Sequence, residues 1–179
     1  MNDVDTYLDA LAEVNQRGFG FLAAYGATWL ISGLLWRLKG PKVGSYAALF
    51  QGMVALPVAL ALTSFTATGA RPEDPTMGQL AVFLATGQLL VLPLAIVLIK
   101  RQMHGLAVAT LATTTAVHFV PYTWLYRTPI YAIAAVLIAI VTAILVFRED
   151  QESGTTGAMS CTFTGGVLIM GAVAALLVG

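Results

Sequence analysis

Six long apolar runs dominate this chain and limit what it can fold into. Each run has about 20 residues, the length that an α-helix needs to cross roughly 30 Å of hydrocarbon at 1.5 Å per residue. The polar breaks between the runs are short, so consecutive helices are expected to pack as antiparallel pairs. The predicted spans cover residues 18–36, 43–68, 77–99, 105–126, 129–147 and 156–178.

The composition points to the same class of protein. Hydrophobic residues make up 58% of the chain and charged residues 10%, which is too apolar for a soluble domain. We therefore expect an all-α integral membrane bundle of six transmembrane helices over residues 18–179, preceded by a short segment, 1–17. The formal net charge is zero and no basic cluster exists, so nucleic-acid binding has no support. A single cysteine, Cys161, excludes an intramolecular disulfide.

The segment 1–17 has the pattern of an amphipathic helix. Val4, Tyr7, Leu8 and Leu11 recur at helical spacing, opposite a face of acidic residues. This pattern predicts a short helix lying at the membrane surface, and a solvated helical lead-in is the alternative. The acidic start lacks the basic region of a signal peptide.

Lysine and arginine are divided unevenly between the two sides of the predicted bundle. The first, third and fifth connections hold six of them, and the other side holds three. The positive-inside rule then puts the odd connections in the cytoplasm and both termini outside. We expect an integral protein of the cytoplasmic membrane, in contact with membrane lipids.

Three consecutive spans each carry a strongly polar residue a few positions before a proline. At 1.5 Å per residue, the polar residues lie roughly 12, 16 and 20 Å from the cytoplasmic ends of their spans, so they could meet near the middle of the bilayer. The pairs are Gln51 with Pro57, Gln88 with Pro93, and His118 with Pro121.

His118 is the only Asp, Glu, Lys, Arg or His inside the six runs. Ionisable groups are costly to place in hydrocarbon, which makes each one a functional-site hypothesis. In the alternative interpretation the imidazole is neutral and merely ties helices together through one hydrogen bond. Such interhelical polar contacts are common and average about 0.6 kcal/mol.

The prolines predict irregular backbone beside these polar residues. Each proline lacks an N–H and its ring opposes the carbonyl four residues earlier, so we expect three kinked helices with free carbonyls at Met53, Leu89 and Val117. Irregular backbone at membrane depth is tolerated where it lines a cavity. Thr114 and the threonines on either side of it lie within about one turn of His118 and could add hydroxyl groups.

Aromatic residues gather towards the exterior end of the fourth span. Tyr122, Trp124 and Tyr126 lie there, and Tyr131 follows shortly after the turn. An aromatic belt at the level of the lipid headgroups would explain most of them. They could instead line the entrance to a ligand site.

Several kinds of chemistry lack the residues that they need. The runs contain no Ser-His-Asp set, no phosphate loop and no pair of acidic residues. One histidine is too few for a metal site without other ligands, so we expect neither a metal nor another cofactor. A role other than catalysis is favoured.

The nonapeptide His118 to Tyr126 carries a resemblance to a known family. With Gly87 to Pro93 before it and Leu56-Pro57 in the second span, it resembles a family of small bacterial membrane proteins marked by H-F-x-P-Y-x-W-L-Y. The resemblance implies a compact helical bundle in a bacterial membrane and singles out the residues of that motif. The family has no assigned activity, so it implies no substrate.

The leading hypothesis is a membrane protein that binds or transports a small, uncharged or weakly polar solute near mid-membrane. The first alternative is a lipid-modifying enzyme or lipid-binding protein in which His118 acts as acid or base. The second is a noncatalytic module that stabilises a partner or senses the bilayer. A homo-oligomer and a weak three-plus-three repeat are both compatible with the sequence. The candidate site residues are His118, Gln88, Gln51, Tyr122, Trp124, Tyr126 and Thr114.

Overall fold

The computed structural model describes residues 3–148 and 155–178, and this part of the chain is all-α. Short 3-10 turns at Gln16–Gly18 and Gln88–Val91 join two of the helix pairs. Residues 149–154, in the predicted fifth connection, lie outside the described residues. The helices are α1 (Asp3–Val14), α2 (Phe19–Lys39), α3 (Pro41–Thr66), α4 (Pro75–Gly87), α5 (Leu92–Lys100), α6 (His104–Leu125), α7 (Ile130–Phe147) and α8 (Thr156–Val178).

Five helical segments in the described residues are long and apolar enough to cross a membrane. They are Gln16–Lys39, Pro41–Thr66, Pro75–Lys100, Ile130–Phe147 and Thr156–Val178. The remaining predicted span corresponds to α6, a helix of 22 residues that is not among the five. Its threonines and His118 keep its hydropathy below the level of the five. The structure thus confirms an all-α bundle of membrane type, and the count of six spans stays a prediction.

The helix α6 lies at the centre of the bundle. It packs against α7, α8, α3 and α5, whereas α2 packs mainly against α3 and α8. Ala112 and Ala116 on α6 are fully buried at these contacts. The span that carries His118 therefore packs against four other helices, while Val117 and Trp124 on its outer face remain exposed.

Glycines let α2 and α8 approach closely along a line that we call the glycine seam, made by Gly26, Gly33 and Gly165. A Cβ atom added to Gly165 would lie 2.8 Å from the backbone oxygen of Gly26 and 2.8 Å from the backbone nitrogen of Leu30. Backbone atoms cannot move aside as a side chain can. Small residues thus set the distance between the helices, because lipid supplies no hydrophobic force to press them together.

Only one of the three spans with the polar-plus-proline pattern is interrupted. The third span breaks into α4 and α5 at the 3-10 turn Gln88–Val91, just before Pro93. In contrast, α3 and α6 remain single helices through Pro57 and Pro121. For α3 and α6, the expected kinks and free carbonyls stay a prediction, because both helices continue through their prolines. The third span has few packing contacts and a glycine, Gly87, beside the break, so less holds its helix together.

The N-terminal helix packs on the protein rather than on lipid alone. Leu8 and Leu11 are buried in the main core, and Arg127 forms ion pairs with Asp5 and Asp9 on the outer face of the helix. The predicted apolar stripe is confirmed in part, since Val4 remains exposed. This helix covers the end of the bundle where α6 joins α7.

Candidate functional site

A cavity of about 350 Å³ lies between α2, α3, the α4–α5 segment and α6. Its inner wall comes from buried aromatic residues of α2 and α6, among them Tyr25, Trp29 and Phe119. Its outer wall comes from exposed apolar residues of α3 and α5, such as Met53 and Ile96. Most of the lining is apolar, with a few polar groups at the inner end.

The cavity brings together five of the seven residues that the sequence singled out. His118, Gln88, Gln51, Tyr122 and Thr114 all line it. They come from α6, from the 3-10 turn after α4, and from α3, which are the three spans with the polar-plus-proline pattern. Gln51 and Gln88 are half-buried, as are His118 and Thr114.

His118 links α6 to the interrupted span. Its ring lies within hydrogen-bonding reach of the backbone carbonyl of Leu84 on α4. In an unbroken helix that carbonyl would accept from the N–H of Gln88, but α4 ends at Gly87 and a 3-10 turn begins at Gln88. The end of α4 therefore provides the histidine with an acceptor. The sequence predicted a free carbonyl near His118 but assigned it to prolines further along.

Both glutamines are held by α2. The Thr28 hydroxyl lies 2.7 Å from Gln51 Oε1 and shares its one proton between that oxygen and the carbonyls of Ala24 and Tyr25. The Tyr25 hydroxyl lies near the Gln88 side chain. With its oxygen engaged, Gln51 has its NH₂ group left to donate. These contacts place both amide groups beside α2 at the cavity wall.

Trp29 adds a further donor that the sequence analysis did not assign to the site. Its side chain is fully buried and lines the cavity, and its Nε1–H has no hydrogen-bond partner among the described residues. An indole can only donate, and a buried donor without an acceptor costs free energy. Tyr25 and Trp29 are four residues apart, a spacing that places them on one face of α2. That spacing was the signal that could have found them.

Tyr126 and Trp124 lie away from the cavity. Trp124 is 45% exposed and lies where membrane lipid would be, so the belt interpretation suits it. It is wrong for Tyr126, which is only 3% exposed, and for Tyr122 and Tyr131. These tyrosines form a buried column of rings, with Tyr122 and Tyr131 centred 5.8 Å apart.

The tyrosine column ties the cavity to the end of the bundle. Tyr122 lies 5.2 Å from the His118 ring, and the Tyr131 hydroxyl donates to the Arg17 carbonyl at 2.9 Å. Gly18 follows with φ of 77°, where a Cβ would overlap Tyr131 and Tyr126. The rings thus need both glycine and left-handed backbone at this turn.

His104 is more structured than a solvated residue at a helix start. Its Nδ1 lies 2.9 Å from Ser45 Oγ and its Nε2 lies 3.2 Å from Gln102 Oε1. Partial burial and then the nearby charge of Lys42 lower the pKa of His104 below its ordinary value. The residue joins α3 to α6 at the predicted cytoplasmic end and does not reach the cavity.

A second cavity, of about 540 Å³, lies under α1 at the other end of the bundle. Its cations already have partners, since Arg17 donates to the Val178 carbonyl and Arg127 pairs with acids of α1. Across the ranges 3–148 and 155–178, no three His, Cys, Asp or Glu side chains are grouped so that they could hold a metal ion.

The fold and the cavity together define a class: a helical bundle of membrane type that encloses a mainly apolar cavity with hydrogen-bonding groups at its inner end. Within this class, the chain belongs to the family of unknown function DUF7010, whose profile matches residues 4–176. This agrees with the expected resemblance to an uncharacterised family. No curated protein and no solved structure matches the chain.

Proposed function

We propose that this chain is an integral membrane protein that binds a small, uncharged or weakly polar solute in the cavity at His118, as part of moving it across a bacterial cytoplasmic membrane. The observation that carries the proposal is the meeting of His118, Gln88 and Gln51, from three separate spans, at one cavity. Side chains that only tied two helices together would not need to surround an open space.

The chemistry of the wall supports an uncharged solute. Among the described residues, none of those that line the cavity is Asp, Glu, Lys or Arg. The volume of about 350 Å³ lies at the small end of the range for small-molecule sites, which are mainly apolar with a few placed polar groups. A charged solute would lose its hydration without gaining a counter-charge.

The proposal includes six spans, namely the five apolar segments described above and α6. It places both termini outside. The uneven distribution of lysine and arginine supports that orientation. A three-plus-three repeat would place such a site between inverted halves, as in many transporters. Membrane lipids are the constant partners, and a homo-oligomer is compatible with the exposed outer faces.

Thiol labelling tests whether the cavity admits a small uncharged molecule. In a Cys161→Ala protein we would place one cysteine at Thr114, in the cavity wall, and in a second protein one at Val117, which faces outward on the same helix. Cysteine reacts as the thiolate, which needs a polar setting. We expect N-ethylmaleimide to label position 114 about tenfold faster than position 117.

Substitutions at two glycines provide the matched control. Gly52 lines the cavity and Gly78 on α4 does not, and a Cβ at either would meet no atom within 4 Å. Gly52→Leu should slow labelling at position 114, whereas Gly78→Leu should leave it unchanged. Equally slow labelling at positions 114 and 117 in folded protein would contradict the proposal and leave His118 as a contact between helices.

Labelling with a membrane-impermeant thiol reagent then tests whether the cavity is accessible from each side of the membrane, as transport requires. Applied separately to each side of sealed vesicles, the reagent should reach position 114 from both sides if the cavity opens alternately. Labelling from one side alone would support binding without transport.

A further inference from the structure

The outer side of the cavity is formed by two segments that diverge. α3 packs against α5, but α3 and α4 share no substantial contact. Every residue of α4 is at least partly exposed, and Met53 on α3 and Leu89 after α4 are strongly exposed although both line the cavity. The gap between α3 and α4 is therefore edged by apolar side chains, and it opens where the bilayer would lie.

The inner end of the cavity is arranged to donate hydrogen bonds. The indole N–H of Trp29 has no acceptor among the described residues, and the amide oxygen of Gln51 is already engaged by Thr28. The NH₂ group of half-buried Gln51 is a donor at the wall, and the indole N–H of fully buried Trp29 is a donor just behind it. A ligand that satisfies them needs an acceptor atom, and the apolar path towards the gap suits a hydrocarbon remainder.

We propose that the cavity takes its ligand sideways from the bilayer, through the gap between α3 and α4, and that this ligand is an uncharged lipid-soluble molecule bearing a carbonyl or hydroxyl oxygen. The inference rests on the proposed solute site and specifies its substrate class. The oxygen accepts from the donors of Trp29 and Gln51, while the chain lies towards Met53 and Leu89.

Protection of the cysteine at position 114 from N-ethylmaleimide tests the inference in proteoliposomes. Methyl decanoate supplies a neutral chain with an acceptor, and decane supplies the same chain without one. Glycerol supplies uncharged oxygen atoms from the water phase. We expect methyl decanoate to slow labelling saturably, by about fivefold at four times its dissociation constant. Decane at the same membrane mole fraction and glycerol should have no effect.

Trp29→Phe tests the donor. Loss of one hydrogen bond should raise the mole fraction of methyl decanoate needed for half-protection about fivefold. Trp124→Phe, which removes an indole outside the cavity, should leave it unchanged. If Trp29→Phe does not fold, the comparison of methyl decanoate with decane still decides whether an acceptor is required.

The outcomes separate this inference from the proposed function. Slow labelling at position 114 without any probe would refute the solute site itself. Fast labelling that glycerol slows and methyl decanoate does not would leave the solute site intact and overturn entry from the bilayer. Equal protection by decane would overturn the acceptor requirement, and no protection by methyl decanoate would overturn the inference as a whole.

Discussion

Two regions of the bundle have similar sequences but pack differently. The helices are in close contact at the glycine seam between α2 and α8, whereas they are separated at the gap between α3 and α4. Both contain glycines within apolar helices. At the seam, Gly165 faces backbone atoms of α2, whereas Gly52 beside the gap faces open space. The difference shows that glycine serves two purposes in this protein. It allows contact on one side and leaves room on the other.

The largest effect is expected at the seam. Gly165→Leu would force a side chain against Gly26 and Leu30, whose backbone atoms cannot yield, so we expect a loss of more than about 3 kcal/mol or no folded protein. Gly166→Leu is the control, because its Cβ would meet nothing within 4 Å. Unfolding midpoints in detergent would measure both. Equal tolerance of the two substitutions would mean that the seam is not closely packed.

A smaller loss is expected at the tyrosine column, which runs from the cavity to the turn at Arg17. Tyr131→Phe removes the hydrogen bond to the Arg17 carbonyl and should cost about 1 kcal/mol. Tyr46→Phe, on an exposed face of α3, should change stability by less than about 0.5 kcal/mol. Thermal unfolding of the two variants side by side provides the measurement. A neutral Tyr131→Phe would show that the turn at Arg17 holds without the tyrosine.

The gap itself should tolerate a larger residue. Gly52→Leu places its side chain in open space and replaces a poor helix former, so we expect stability to stay the same or rise by up to about 1 kcal/mol. The same detergent unfolding assay applies. Clear destabilisation would show that the space beside Gly52 is filled in the folded protein. The gap would then be closely packed, as the glycine seam is.

The smallest effect concerns pH at the predicted cytoplasmic end. Because the folded state lowers the pKa of His104 below its ordinary value of 6.5, the unfolded chain binds the proton more readily. Its contribution to stability is therefore complete above pH 6.5 and is lost as the pH falls from 6.5 through the lowered pKa of the folded state. His104→Gln should flatten this part of the pH profile of unfolding. An unchanged profile would assign the pH dependence to other groups.

The sequence predicted the helices well because their causes are local. The length of each apolar run and the polar breaks set where the helices begin and end, and the predicted run 105–126 corresponds closely to α6, His104–Leu125. The polar-plus-proline pattern likewise predicted that Gln51, Gln88 and His118 could meet. It could not show which span would break, since that depends on how firmly the neighbouring helices hold each one.

The burial of the aromatic residues likewise could not be predicted from the sequence. Tyr126 and Trp124 are two residues apart, and the composition around them is alike. One is buried in the ring column and the other is exposed. A helix places positions two apart on different faces, but the sequence does not say which face meets protein and which meets lipid when both surroundings are apolar.

By itself, the sequence determined the class of this protein: an all-α bundle of membrane type with a single histidine, and no Asp, Glu, Lys or Arg, inside its apolar runs. Hydrophobicity and helix length are properties of single segments, so they can be read along the chain. Only the tertiary structure decided that α2 closes on α8, that α4 lies apart from α3, and that Trp29 joins the cavity. These features depend on how the side chains of different helices pack together, and no single segment carries that information.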